Sequence, residues 1–146
     1  MTRRLAVDVG TARVGIAISE GSLALPLESL TADEGVVAKV CELAQQRDVS
    51  VVYVGLPLSL KGDFTSSTAK AIEFGRALSQ HGIAVRMIDE RLTTKSAQQL
   101  LQKSGKRVKE SRQYIDAQAA ALILDFALSS ERSGYAGIAL DDLTDR

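Results

Sequence analysis

Large aliphatic residues alternate with small residues from position 5 to position 19, and this pattern predicts two strands joined by a tight turn. Side chains on a strand point alternately to opposite faces, so each strand has one aliphatic face and one face of small residues. Asp8 is the one acid of the stretch and lies on the small-residue face, with Ala6 and Gly15. A carboxylate buried there requires a cation or hydrogen bonds, so Asp8 indicates a metal or phosphate site, unless turn amides hold it.

The remaining apolar pattern predicts three further strands and four helices. Residues 25–30 form a strand whose Pro26 suits a sheet edge, where a missing donor is tolerated. The β-branched run at 49–54, ended by Gly55-Leu-Pro57, is typical of a buried parallel strand, and 84–88 is the last strand. The helices are predicted from Thr31-Ala-Asp-Glu34, which has capping-box spacing, to about Arg47; from Thr65, Ser66 or Ser67 to about Gln80, closed by His81-Gly82; from Thr93 or Thr94 to near Ser104; and from Ser111 or Gln113 onward.

The order of these elements is β-β-β-α-β-α-β-α-α. It predicts an α/β fold with a mixed five-stranded sheet, in which parallel strands extend an antiparallel meander and helices cover both faces. The chain has 146 residues, of which 45% are hydrophobic and 25% charged, and these values are typical of one domain. We expect that domain to span residues 1–130 and residues 131–146 to form a polar, flexible tail.

Basic and acidic residues cancel over the whole chain but are unevenly distributed. Each group has 18 members, so the net charge neither indicates nor excludes a nucleic-acid partner. Residues 103–112 carry five basic residues and one acid, which makes this segment locally basic. Cys41 has no second cysteine to pair with and falls at helical spacing among apolar residues, so we predict a core residue. Because no segment resembles a signal peptide or a membrane span, we expect a cytoplasmic protein.

Three acids come from three separate predicted elements. Asp8 lies on the first strand, Glu90 follows the last strand, and Asp116 stands in the first turn of the final helix. Carboxylates on rigid elements can hold two divalent cations for phosphodiester hydrolysis, one activating water and the other stabilising the leaving oxygen. Simpler explanations stay open, since Asp116 suits any helix N-terminus and Glu90 can pair with Arg91 or Arg86 on the surface.

Four motifs, in one order, resemble the signatures of the YqgF family, also called RuvX. They are Asp8-Val-Gly-Thr-Ala-Arg-Val-Gly-Ile-Ala17, Gly55-Leu-Pro57, Asp89-Glu-Arg-Leu-Thr-Thr94, and Gly105-Lys-Arg with Lys109 ahead of Ile115-Asp-Ala-Gln-Ala-Ala120. The resemblance extends over about residues 4–128. Members of this family are described as Holliday junction resolvases or as nucleases that mature precursor small-subunit ribosomal RNA. The resemblance implies a ribonuclease H-like fold, as in RuvC.

The resemblance also implies roles for residues at matching positions. Asp8, Glu90 and Asp116 would be catalytic residues and ligands of Mg²⁺ or Mn²⁺, with two ions when substrate is bound. Basic and hydroxyl side chains would position phosphates without reading bases, with a solvated loop as the alternative explanation. These substrate-binding candidates are Thr11, Arg13, Lys106, Arg107, Lys109 and Arg112.

The expected function is that of a metal-dependent nuclease, a monomer or homodimer that matures the 5′ end of pre-16S rRNA in ribosome biogenesis. A Holliday junction resolvase acting on branched DNA is the alternative. Aromatic residues near these motifs are few, namely Phe64 and Tyr114, so we expect recognition of backbone or junction shape over base stacking. Two other classes stay open. Asp8-Val-Gly-Thr11 also resembles the first phosphate loop of ATP-binding phosphotransferases, which close two such domains around the nucleotide, and the chain could be a non-catalytic nucleic-acid-binding module.

Overall fold

The computed structural model describes residues 2–93 and 108–143, except the side chains of residues 108–114. In chain order the elements are β1 (Arg3–Val9), β2 (Arg13–Glu20), β3 (Leu23–Thr31), α1 (Val36–Gln46), β4 (Val49–Leu56), α2 (Ser66–Gln80), β5 (Val85–Asp89), a single 3-10 turn (Glu90–Leu92), α3 (Val108–Arg132), β6 (Ile138–Ala139) and a second 3-10 turn (Leu140–Asp142). No helix within the described residues is long and apolar enough to cross a membrane.

The strands form one mixed sheet in the order β3-β2-β1-β4-β5-β6. β1, β2 and β3 pair antiparallel as a meander, and β4 and β5 continue the sheet parallel to β1. This arrangement confirms the predicted mixed sheet and the edge position of the strand that contains Pro26. Because β1, β4 and β5 are parallel neighbours, their carboxyl ends lie at the same edge of the sheet, where open α/β sheets bind their ligands.

Helices cover both faces of the sheet, as predicted. On one face, α1 and α2 pack against the large aliphatic side chains of the strands, and the predicted core residue Cys41 is buried there. On the other face, α3 packs against small residues such as Ala6 and Ala17, with Tyr53 buried beneath the helix. The division of β1 and β2 into an aliphatic face and a small-residue face is therefore confirmed.

The small-residue face lets α3 approach the sheet closely. A Cβ atom on Gly15 would lie 2.0 Å from the backbone oxygen of Asp116, so no larger residue fits at this position without a shift of the helix. On α3 the buried positions near this contact are also small, with Ala117, Ala120 and Ala121. The approach of the two backbones fixes the height of the helix above β2, and with it the position of Asp116.

Polar contacts hold the other end of α3 against the sheet. The Glu131 carboxylate accepts hydrogen bonds from the Tyr53 hydroxyl and from Arg4 Nε, the latter at 3.1 Å. Burial and the hydrogen bond to Glu131 raise the pKa of Tyr53, so its hydroxyl keeps its proton and donates. Helix α3 is thus tied to β1 and β4 near its carboxyl end, away from Asp116.

The prediction of five strands is wrong in one respect, because the described residues include a sixth. β6 pairs antiparallel with β5 in the segment that the sequence predicts to be a polar tail. Ile138 and Leu140 pack against the aliphatic core. The Arg86 guanidinium holds the chain just before β6, donating to the carbonyl oxygens of Ala136 and Gly137 at 2.7 and 3.0 Å. A two-residue strand is too short to give a recognisable alternation, which is why sequence analysis does not find it.

Helix boundaries agree with the prediction at α2 and differ at α1 and α3. Helix α3 spans Val108–Arg132, so the prediction that Asp116 stands in the first turn of this helix is wrong. Thr65 caps α2 through reciprocal hydrogen bonds with Thr68, and His81 ends the helix. The capping box predicted for α1 does not form, because Thr31 is the last residue of β3 and is committed to the sheet. Helix α1 starts instead after Gly35, which offers no side chain for capping. The helix predicted to start at residue 93 or 94 lies outside the described residues.

We expect Gly15→Ala to lower the free energy of unfolding by about 3 kcal/mol, because the new methyl group overlaps the α3 backbone at Asp116. Gly35→Ala is the matched control. Its Cβ would lie 3.6 Å from the nearest atom, so we expect a loss below about 1 kcal/mol. Urea unfolding followed by circular dichroism measures both variants, and equal stabilities would contradict a close contact between α3 and β2.

Candidate active site

Asp8 and Glu90 meet at the carboxyl edge of the sheet. Asp8 lies on β1 opposite Gly15 of β2, and Glu90 is the first residue after β5. A hydrogen bond joins their two carboxyl groups. β4 lies between β1 and β5, and a Cβ atom on its Gly55 would lie 3.0 Å from Glu90 Cδ. The glycine of the Gly55-Leu-Pro57 motif therefore leaves room for the Glu90 side chain to reach Asp8.

The neighbours of Glu90 form an ion pair that shapes the turn after β5. The Arg91 guanidinium binds the Asp89 carboxylate through two nitrogens, with Nη2 2.6 Å from Oδ2 and Nε 3.0 Å from Oδ1. Asp89 Oδ1 also accepts from the Arg91 backbone N–H at 2.9 Å, which caps the 3-10 turn. Arg91 thus binds Asp89, and Arg86 binds carbonyl oxygens before β6, so both arginines that the sequence offers to Glu90 engage other groups.

Asp116 stands on α3, above the row of residues that contains Asp8. The β-strand register places Asp8, Gly15 and Ser29 side by side across β1, β2 and β3. The Ser29 hydroxyl donates to Asp116 Oδ2 at 3.2 Å. Since Gly15 carries no side chain, the Asp116 backbone lies directly over it. The Asp116 carboxylate is then close enough for its negative charge to raise the pKa of Asp8.

Burial raises the pKa of both joined carboxyl groups. The pKa of Asp8 is raised to about 6, mainly by burial and further by the negative charge of Asp116, while the hydrogen bond with Glu90 lowers it. The pKa of Glu90 is raised to about 7 by burial and by Asp8. At pH 6 the pair therefore retains a proton, which their mutual hydrogen bond requires, and a cation bound by both carboxylates would displace it.

The chemistry of this pair fits a divalent cation. Carboxylate oxygens are the ligands that Mg²⁺ and Mn²⁺ prefer, and a cation would offset the cost of two negative charges in a buried place. Among the side chains of residues 2–93 and 115–143, no three histidine, cysteine, aspartate or glutamate groups are placed as ligands of one ion. Asp8 and Glu90 are thus the two side chains that would bind the ion directly. Asp116 lies beside Asp8 and accepts a hydrogen bond from Ser29.

An open cleft adjoins Asp116 and is lined by two of the predicted phosphate contacts, Thr11 and Arg13. It has a volume of about 390 Å³ and lies between the β1–β2 turn and α3. A guanidinium and a hydroxyl group there can bind a phosphate next to the acids. Two other predicted phosphate contacts, Lys106 and Arg107, lie outside the described residues. The last two, Lys109 and Arg112, lie on α3, and their side chains are not described.

Comparison with known proteins shows the family of the chain. The model of the RuvX family, described as Holliday junction resolvase, matches residues 2–130. The chain belongs to the RuvX family. A relative from Leifsonia xyli is 43% identical over 135 residues, covering 89% of this chain and 87% of the relative. A relative from Streptomyces coelicolor is 44% identical over 137 residues, covering 89% and 81%. Both relatives carry the name "Putative pre-16S rRNA nuclease".

The fold of this RuvX chain is that of RuvC. The structure of Thermus thermophilus RuvC in complex with a Holliday junction substrate matches with a TM-score of 0.61 at 16% sequence identity, covering 94% of this chain and 99% of RuvC. A second RuvC structure from Thermus thermophilus matches with a TM-score of 0.57. At this level of identity the likeness concerns the fold alone, and it confirms the predicted ribonuclease H-like architecture.

Two supporting features of this candidate site are not visible in the sequence. Ser29 reaches Asp116 because β3 pairs with β2 in one particular register, and a bulge in that pairing keeps the register from being read off the sequence. The Asp89–Arg91 pair joins the first and third residues of the Asp-Glu-Arg motif, so its charges are visible in the sequence. Which of the two acids takes the arginine depends on the 3-10 turn, which the sequence does not reveal.

Without divalent cations, we expect the unfolding free energy of the RuvX chain, measured relative to Asp8→Asn, to fall as the pH rises from 4 to 7. The folded state keeps a proton on Asp8 that the unfolded state releases near pH 4, so ionisation costs stability only in the folded state. A rise in pKa from 3.8 to about 6 corresponds to about 3 kcal/mol.

Urea unfolding at stepped pH measures this difference. Asp125→Asn is the control, because it removes an exposed carboxylate from α3. A difference between wild type and Asp8→Asn that stays constant, or grows with pH, would contradict the raised pKa.

Proposed function

We propose that this RuvX chain is a metal-dependent nuclease that hydrolyses phosphodiester bonds and matures the 5′ end of pre-16S rRNA. The observation that carries the proposal is the buried Asp8–Glu90 pair at the carboxyl edge of a RuvC-like sheet. Two acids kept together at the cost of mutual repulsion are a recurrent feature of functional sites. The family assignment supports a nuclease in general, and the metal and the substrate are the added steps of the proposal.

The residues around the pair have separate roles in this proposal. Asp8 and Glu90 would hold a divalent cation, which supplies an activated water and stabilises charge on the leaving oxygen. Asp116 would add a third carboxylate beside Asp8, and the Ser29 hydroxyl would fix its orientation. Arg13 and Thr11 would bind a phosphate of the substrate in the neighbouring cleft, which positions the strand relative to the acids.

The relatives that are most similar in sequence favour RNA over branched DNA as the substrate. The relatives named for pre-16S rRNA are 43 and 44% identical over most of both chains. The RuvC structure that contains a Holliday junction is 16% identical and bears on the fold alone. Junction resolution is the second candidate, because the matching family model is described by that activity.

We expect wild-type protein with Mg²⁺ or Mn²⁺ to trim a pre-16S rRNA fragment at its 5′ end and to leave a four-way DNA junction uncut. Asp8→Asn should lower the cleavage rate by about two orders of magnitude or more, because it removes a carboxylate that would hold the cation that activates the attacking water. Gel analysis of end-labelled substrates measures both rates.

Asp125→Asn is the control, since it removes an exposed carboxylate from α3, away from the Asp8–Glu90 pair, and should cleave as wild type does. Paired symmetric nicks in the junction, lost in Asp8→Asn, would replace the RNA proposal with a resolvase. Binding of both substrates without cleavage would favour a non-catalytic module, and cleavage that survives Asp8→Asn unchanged would contradict the site. Tight Mg²⁺-dependent binding of ATP would favour the phosphotransferase class.

A further inference from the structure

Leu60 is the most exposed large apolar side chain of the described residues, with 95% of its surface accessible. It occupies a corner of a β-turn, since Gly62 N donates to Ser59 O at 2.8 Å across Leu60 and Lys61. Turn corners usually carry proline, glycine or short polar residues, which tolerate this backbone and full exposure to water. Single exposed leucines are common on proteins, so the position of Leu60 must decide whether it has a role.

The turn presents Leu60 and Lys61, together called the tip, in a fixed position. Ser59 N donates to Asp63 O at 3.0 Å, and Asp63 N donates to Ser59 Oγ at 2.9 Å. Leu58 and Phe64 form a β-bridge at the base of the turn. A backbone held in this way loses little conformational freedom when the tip binds a partner.

The tip stands at the edge of the sheet that carries the acids. The turn follows β4, Glu90 follows β5, and these two strands are parallel neighbours. Arg91 connects them directly: its Nη1 lies 3.5 Å from Leu60 O, and a Cβ atom on Gly62 would lie 3.1 Å from the same nitrogen. Since Arg91 also binds Asp89, the residue before Glu90, one guanidinium ties the tip to the strand end that supplies Glu90.

We propose that Leu60 packs against an unpaired base of the substrate beside the bond that is cleaved, while Lys61 contacts a flanking phosphate. An apolar side chain beside a cation matches the two parts of a nucleotide, the apolar face of the base and the charged phosphate. Leucine is among the side chains that contact base faces where a base step is unstacked. Unpaired bases expose their faces and stacked duplex bases do not, so the tip favours single-stranded RNA over duplex. This inference rests on the proposed nuclease function and adds the part of the substrate that the site contacts.

The test measures binding without divalent cations, so that no cleavage occurs. The probes are a single-stranded RNA that contains the fluorescent base 2-aminopurine and the same strand in a full duplex. We expect Leu60→Ser to weaken binding of the single strand fivefold or more and of the duplex less than twofold. It should also abolish the fluorescence change that wild type produces, while Leu60→Met, which keeps an apolar side chain of similar volume, retains both.

Leu23→Ser is the matched control. Leu23 is 63% exposed at the start of β3, paired with Glu20 at the end of the meander away from the acids, and its replacement should leave binding and fluorescence unchanged. Equal effects of the two serine variants, or wild-type behaviour of Leu60→Ser, would overturn the proposal. A wild type that binds neither RNA would overturn it as well.

The result is separable from that of the nuclease proposal, because cleavage with Mg²⁺ is measured in a parallel assay. Cleavage by wild type together with binding that does not depend on Leu60 would leave the nuclease in place and remove the role of the tip. Binding that depends on Leu60, without any cleavage, would keep the contact between the tip and an unpaired base and would remove the nuclease.

Discussion

The structure depends on the close approach of α3 to the sheet at Gly15. The absence of a side chain at this one position lets the backbone of Asp116 lie directly above β2. Neighbouring alanines on α3 and small residues on β1 and β2 extend the contact, and the Tyr53–Glu131–Arg4 cluster holds the far end of the helix. A helix raised by the size of one larger side chain would carry Asp116 away from Asp8 and from Ser29. The packing of α3 on the sheet therefore also sets the geometry of the candidate site.

The cost of the site is electrostatic. Asp8 and Glu90 are buried together beside the charge of Asp116, and both have a pKa above the ordinary range of a carboxyl group. A chain selected only for stability would place apolar side chains at these positions, because a buried acid pair is unfavourable without a cation. Arg91 fixes the turn after β5, because it binds Asp89 and also contacts the loop after β4. The loop that bears Leu60 and the turn that bears Glu90 thus share one guanidinium.

Much of the fold could be predicted because long periodic segments carry it. The alternation in β1 and β2 placed Asp8 on the small-residue face, and Gly55-Leu-Pro57 marked the end of the central strand. The prediction failed where local signals are short or ambiguous. β6 has two residues, and Thr31, which has capping spacing, belongs to a strand. The contact of Ser29 with Asp116 depends on strand register, and the exposure of Leu60 depends on the loop after β4; neither can be predicted from the sequence. The expectation of backbone or junction-shape recognition over base stacking rests on the small number of aromatic residues and stays a prediction.

The measurement that tests the central claim most directly is anomalous diffraction from crystals soaked in Mn²⁺ at pH 8, where both carboxyl groups have lost their protons. The account predicts a peak bound by the carboxylates of Asp8 and Glu90, whose mutual hydrogen bond is then broken. An anomalous map without a peak at this pair under saturating Mn²⁺, with the hydrogen bond intact, would contradict the assignment of these acids to a metal site.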